Sequence, residues 1–217
     1  MRGLYPIVDV DSLRQLGEAP LAVVEFAKRV LAARPALLQL RAKHSGAHDT
    51  LELLRVLRPL CSAAGTRLIA NDRPDLALLA ACDGVHIGQE DLPLSLVRKI
   101  APTLLVGVST HNPAQLTEAL AQKPDYVAFG PVFGTTSKER PDQTVGLAGL
   151  RDAHSAARAA GVPLVAIGGI NLARAREVGA HCDLLAVIAA LLPKPDSLEG
   201  VSEAALALSA TFGDATR

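Results

Sequence analysis

Short apolar runs, rich in leucine and β-branched residues, recur along this chain and are separated by longer segments with helical spacing. The runs are Leu4–Val8, Ala36–Leu40, Arg67–Ala70, Gly84–Ile87, Leu104–Gly107, Tyr126–Phe129, Leu164–Ile167 and Leu184–Val187. Between them, Leu21–Ala33, Thr50–Ala63, Pro113–Ala121, Leu147–Ala160 and Asn171–Val178 carry helical periodicity, with Asp75–Ala81 and Leu94–Ile100 as briefer segments. Ser197–Ala210 has the pattern of a last helix, and Asp214–Arg217 is expected to fray. Strands that alternate with helices imply parallel pairing through right-handed crossovers. Eight such units predict a closed (β/α)8 TIM barrel, one α/β domain spanning residues 1–217. An open doubly wound sheet is the alternative, but no GxGxxG follows the first run.

Apolar residues make up 49% of the chain and aromatics only 3%, so leucine, alanine and valine must build the core. Lysine plus arginine equals aspartate plus glutamate, 22 each, which argues against nucleic acid or a membrane surface as the main partner. Cys61, Cys82 and Cys182 form no CxxC pair, so a zinc site or disulfide framework is not expected. Buried reduced thiols and a cytoplasmic compartment are. MRGLYPIVDV lacks the apolar core and cleavage site of a signal peptide, and no charge-free apolar run is long enough to span a bilayer. Oligomeric state stays open at this level, a homo-oligomer included.

In a parallel barrel the residues just after each strand gather on one face. After the third and fourth runs stand Asp72 and Asp91, in ANDRPD and GQEDLP. Converging, they suit a hard cation such as Mg²⁺, which takes oxygen ligands and shares its shell with water and phosphate. Otherwise they are two solvated loop acids. After the second run, alternation puts Gln39, Arg41 and Lys43 on one side and Leu40 and Ala42 on the other. An amide and two cations aimed together suit a phosphate or pyrophosphate, whereas a solvated basic strand end is the plainer alternative. After the fifth run, Ser109 is a ligand donor or shares with Thr110 and Asn112 the role of helix cap; His111 is a proton shuttle or an ordinary loop residue. After the sixth, Thr135, Thr136, Ser137 and Lys138 form a dense donor cluster in a long loop. After the seventh, Gly168 and Gly169 let backbone amides approach a phosphate, and Ile188 and Ala189 open a short helix after the eighth. Two anion sites then face one another, one for a pyrophosphate and one for a monophosphate.

QLRAK, ANDRPDLAL, GVHIGQEDLP, GVSTHN, DYVAFGPVFGTTSK and PLVAIGGI, in this order, resemble the thiamine phosphate synthase family over most of the chain. The resemblance implies a (β/α)8 barrel and a transferase that joins hydroxymethylpyrimidine pyrophosphate to hydroxyethylthiazole phosphate, releasing pyrophosphate. It implies that Gln39, Leu40, Arg41, Ala42, Lys43, Asn71, Ser109 and Lys138 hold the pyrimidine pyrophosphate, with Lys43, Ser109 and Lys138 catalytic. It implies Mg²⁺ on Asp72 and Asp91, and the thiazole phosphate on Thr135, Thr136, Ser137, Gly169, Ile188 and Ala189. Loss of pyrophosphate leaves a methylene cation on the pyrimidine, which the thiazole nitrogen attacks, so no protein nucleophile is needed.

The chain departs from the family pattern in three places. A customary serine is Ala189, so a hydroxyl is missing while the backbone N–H remains. The customary Gly-Ala-Asp-Gly before the last strand is Ala180-His181-Cys182-Asp183-Leu184, and loop six reads GTTSK in place of Pro-Thr-x-Thr-Lys. The rival enzyme reading is a thiazole tautomerase with His111 as acid/base; a tautomerase has no use for Lys43 and Asp91 as a pyrophosphate clamp and metal pair. The non-enzymatic rival is a sensor that binds thiamine phosphate without turnover.

Overall fold

The computed structural model describes residues 1–14, 20–135, 142–192 and 197–212. Eight parallel strands close in sequence order into a barrel: β1 (Gly3–Asp9), β2 (Leu37–Arg41), β3 (Arg67–Asn71), β4 (Gly84–Ile87), β5 (Leu105–Thr110), β6 (Tyr126–Phe129), β7 (Leu164–Ala166) and β8 (Leu184–Val187). Around them run α1 (Val10–Leu13), α2 (Leu21–Leu31), α3 (Ala47–Ala64), α4 (Pro74–Leu79), α5 (Leu94–Ile100), α6 (Pro113–Ala121), α7 (Gly146–Ala160), α8 (Leu172–Gly179) and α9 (Val201–Ala210). The barrel expectation holds. Among the described residues no helix is long and apolar enough to cross a membrane. The expected frayed end at Asp214–Arg217 lies outside the described residues.

Strand alternation sorts the apolar residues into two cores. Tyr5, Ile7, Leu37, Ile69, Tyr126, Val165 and Leu184 fill the barrel interior. Leu4, Val8, Leu38, Leu40, Val85, Val106 and their neighbours pack outward against the helices. Two interior glycines make room for bulk: a side-chain carbon on Gly107 would strike the Tyr126 ring, and one on Gly84 would meet the Leu105 carbonyl at 2.5 Å. All three cysteines are free and buried, and burial pushes each thiol up to about 12.

The N-terminal rim carries a repeated latch. Asp83, Asp125 and Asp183 stand just before β4, β6 and β8, and their Oδ2 atoms accept the backbone N–H of Leu68, Val106 and Leu164 at 2.8, 2.7 and 2.9 Å. Arg58 and Arg98 complete the first two, at 2.8 and 2.7 Å. The departure at Ala180–Leu184 therefore leaves the turn intact: Asp183 does its sheet-closing work, and its carbonyl also accepts the Gly3 N–H at 2.9 Å.

Several boundaries move from their expected places. Asn71 and Ser109 belong to β3 and β5 rather than to the loops after them, because pairing runs on as Asn71↔His86 and Ser109↔Ala128. Helix α3 starts at Ala47, three residues before Thr50, with the Thr50 hydroxyl donating to the Gly46 carbonyl at 2.9 Å. Helix α9 begins at Val201 rather than Ser197, after Gly200 turns the chain with φ +81°.

Candidate active site

The C-terminal ends of β1 to β5 place one polar arc along the opposite rim. Asp9 ends β1 and pairs in register with Arg41 at the end of β2. The Asp9 carboxylate is buried; it accepts the Asp11 N–H at 3.2 Å, the Ser12 hydroxyl at 3.2 Å and Arg41 Nη1 at 3.0 Å. Arg41 is thus fixed from below by a carboxylate that also caps α1. Two residues on, Lys43 Nζ reaches Asp72 Oδ2 at 3.2 Å.

Asp72 follows β3 with φ +63°, a left-handed conformation that non-glycine residues take where the surroundings hold them to it. Its N–H donates to the His86 carbonyl at 2.8 Å, tying this loop to β4. Past β4 the chain turns back, and Asp91 Oδ2 accepts the Gly88 N–H at 2.7 Å. The two carboxyls face one another. Burial first, then the charge of Asp91, push the Asp72 carboxyl above its ordinary range, while Lys43 pulls the other way. A cleft of about 310 Å³ opens beside Asp72, lined by Lys43, Ser45, Thr50, Asn71, Asp72 and Arg73 among others. Among the described residues no group of three or more His, Cys, Asp or Glu side chains is placed to hold a metal. Two facing carboxylates are nonetheless a donor set that fits a hard cation completing its shell with water and phosphate.

Gln39 shares the inward side of β2 with Arg41 but sits deeper. It is buried and spends its Nε2 on Tyr5 Oη at 2.7 Å. From there a hydrogen-bonded chain crosses the barrel: Tyr5 Oη to Tyr126 Oη at 2.8 Å, Tyr126 Oη to His86 Nδ1 at 3.2 Å, and His86 Nε2 to Ser109 Oγ at 2.8 Å. The Tyr5 and Tyr126 rings meet edge to face, and His86 stacks on Tyr126. Gln39 and Ser109, at opposite ends of this chain, are therefore oriented by the same core network. Burial raises the hydroxyl pKa of both tyrosines, keeping them neutral. Leu40 and Ala42 pack on the outer core, and both also line the cleft beside Asp72. Tyr126→Phe strips a partner from both Tyr5 and His86. It is expected to cost about 1–3 kcal/mol, measured by chemical denaturation, and an unchanged midpoint would refute the coupling.

Ser109 is no helix cap. Asn112 caps α6, its Oδ1 accepting the Gln115 N–H at 3.0 Å, and the Thr110 hydroxyl donates to the Ala128 carbonyl at 2.8 Å. His111 has Nδ1 2.8 Å from the Gly130 carbonyl and 3.5 Å from Asp142.

On the side expected to take a monophosphate, loops six and seven pack backbone to backbone. Val132 N donates to the Ile167 carbonyl at 2.8 Å and Phe133 N to the Gly168 carbonyl at 3.0 Å. Gly168 and Gly169 have φ of +100° and +63°, and a Cβ on Gly169 would sit 2.5 Å from the Gly134 carbonyl oxygen. Half-buried Thr135 lies just beyond Gly134. After β8, Ile188 opens a 3₁₀ turn over Ala189–Leu191, whose first N–H groups have no partner within the turn. Thr136, Ser137 and Lys138 lie outside the described residues.

Asp9, Tyr5, His86 and Tyr126 escaped the reading of the sequence. The available signal was alternation: positions 5, 7 and 9 of β1 share a side, so a polar residue there faces the interior or its rim.

A family model described as thiamine monophosphate synthase matches residues 4–191. A thiamine-phosphate synthase from Chloroflexus aurantiacus is 38% identical over 194 residues, covering 89% of this chain and 86% of that one. Another from Koribacter versatilis is 44% identical over 195 residues, covering 88% and 90%. The solved structure of a thiamine phosphate pyrophosphorylase from Pyrococcus furiosus superposes with a TM-score of 0.85 at 31% identity, covering 99% of this chain and 97% of that one. Sequence motifs, closed barrel and these likenesses agree, and the chain belongs to the thiamine monophosphate synthase family.

Proposed function

We propose that this protein is a thiamine phosphate synthase, a transferase that joins hydroxymethylpyrimidine pyrophosphate to hydroxyethylthiazole phosphate. What carries the reading to these residues is the meeting of Asp72, Asp91 and Lys43 on the rim that also bears Arg41. A tautomerase or a sensor has no use for a carboxylate pair beside two cations. Asp72 and Asp91 would hold Mg²⁺, which when bound neutralises charge on the pyrophosphate.

Arg41 and Lys43 would bind the pyrophosphate oxygens, Arg41 held in place by Asp9. With Nε2 committed to Tyr5, Gln39 keeps its Oε1 as an acceptor for the pyrimidine amine. Ser109, set by His86, and Lys138 would donate to the same substrate. Thr135, Thr136, Ser137, Gly169, Ile188 and Ala189 would hold the thiazole phosphate. As the carbon–oxygen bond breaks, its electron pair leaves with the pyrophosphate, and the thiazole nitrogen forms the new carbon–nitrogen bond. The residues position two substrates and stabilise a leaving anion.

The test is incubation of the purified protein with both halves and Mg²⁺, following thiamine phosphate and pyrophosphate. Equimolar formation of both is the expected result. Thiazole isomerisation without pyrophosphate release, or binding without turnover, would sink the reading. The three buried thiols fit a reducing, cytoplasmic setting.

A further inference from the structure

Arg174 sits in the first turn of α8, beside the glycine pair that the proposed function gives to the thiazole phosphate. Its backbone N–H donates to the Asn171 cap at 3.2 Å. Its side chain turns back over the rim: Nη1 donates to the Gly169 carbonyl at 2.8 Å, and the guanidinium lies 4.4 Å from the centre of the Phe133 ring. Phe133 is itself fixed to loop seven through its backbone bond to Gly168. The guanidinium is therefore held on two sides, by a carbonyl and by an aromatic face.

Arg41, Arg58, Arg73 and Arg98 each sit against a carboxylate, at 3.0, 2.8, 2.5 and 2.7 Å. Among the described residues no acid pairs with Arg174. One of its five N–H donors is spent on Gly169, and among the described residues its side chain has no further hydrogen-bond acceptor. After β8, Ala189 brings a backbone N–H but no hydroxyl. The monophosphate side thus lacks one hydroxyl of the family pattern, while a cation is held against the carbonyl of Gly169 in the same glycine pair.

We propose that Arg174 is a substrate-binding residue that takes the phosphate of the thiazole half and supplies the contact that Ala189 lacks. The inference rests on the proposed function for the identity of that ligand. A guanidinium matches a phosphate through parallel, charge-assisted hydrogen bonds, and Phe133 sets its plane in advance.

Calorimetric titration of the full-length protein tests this, using hydroxyethylthiazole phosphate and the same alcohol without phosphate. Arg174→Gln keeps a donor for the Gly169 carbonyl and removes the charge. It is expected to weaken the phosphate ligand about 10–100-fold, while the affinity for the alcohol and for pyrimidine pyrophosphate stays at the parent value. Arg174→Lys is expected to recover most of the loss. Unchanged affinity for thiazole phosphate in Arg174→Gln overturns the inference. So does an equal loss for phosphate and alcohol with a lower melting temperature in both variants, which is the behaviour of a staple between loop six and α8. A parent protein that binds thiazole phosphate through Arg174 but forms no thiamine phosphate would overturn the proposed function and leave this inference standing. A parent that turns over with its preference unchanged in Arg174→Gln would do the reverse.

Discussion

Asp91→Ala is expected to lower turnover about 10²–10³-fold at saturating Mg²⁺, while the metal-free protein keeps its fold. The reason is the cost that the carboxyl pair carries without a cation. Asp72 is drawn above its ordinary range by burial and by Asp91, so the folded state disfavours its charged form. The sign follows: metal-free stability falls as pH rises through the Asp72 titration. Removing Asp91 relieves that repulsion but loses the bond from the Gly88 N–H, and these two effects, each about 1 kcal/mol, nearly offset. Asp72→Asn keeps the shape and loses the charge. It is expected to raise the metal-free melting temperature by about 2–4 °C and to depress turnover as Asp91→Ala does. Mg²⁺ should raise the melting temperature of the parent and not of either variant. An Asp91→Ala enzyme that stays fully active with Mg²⁺ would end the metal assignment.

The barrel could be read from sequence because its signal is redundant: eight strand–helix units each report the same period switch, and none has to be placed accurately for the count to hold. The carboxyl pair was legible for a related reason. Asp72 and Asp91 follow adjacent parallel strands, and adjacency in a barrel is adjacency in space. Helix α1 was not, since the four residues Val10–Leu13, capped by Asp9, are too few to show a period. The core network was missed because a histidine in the four-residue run GVHI reads as an interruption of an apolar strand; only Tyr126 and Tyr5, far away in sequence, make it a satisfied interior group. Arg174 was silent for another reason. On the helix pattern it is one more exposed basic residue, and only the turn of its side chain onto Gly169 and Phe133 distinguishes it. The aspartates at the base of β4, β6 and β8 look alike for a physical cause: each strand start leaves an N–H on its neighbour that a side-chain carboxylate can accept.

Gly169→Ala is expected to raise the Michaelis constant for thiazole phosphate about 10²-fold, with pyrimidine pyrophosphate little affected. Two costs combine there. The left-handed φ of +63° costs an alanine about 1–2 kcal/mol. The added carbon would also lie 2.5 Å from the Gly134 carbonyl and 2.8 Å from Phe133 Cβ. Neither neighbour is the free end of a flexible side chain, so loops six and seven must part. That parting shifts the amides proposed to meet the phosphate and takes the Gly169 carbonyl away from Arg174. Gly65, at the end of α3, separates the two costs: its φ is +70°, but nothing lies within 4 Å of the position a Cβ would take. Gly65→Ala should therefore lower stability by about 1 kcal/mol and leave both Michaelis constants alone. If steady-state kinetics found the two variants alike, strain alone would account for Gly169, and the close packing of loops six and seven would not be what shapes the phosphate side.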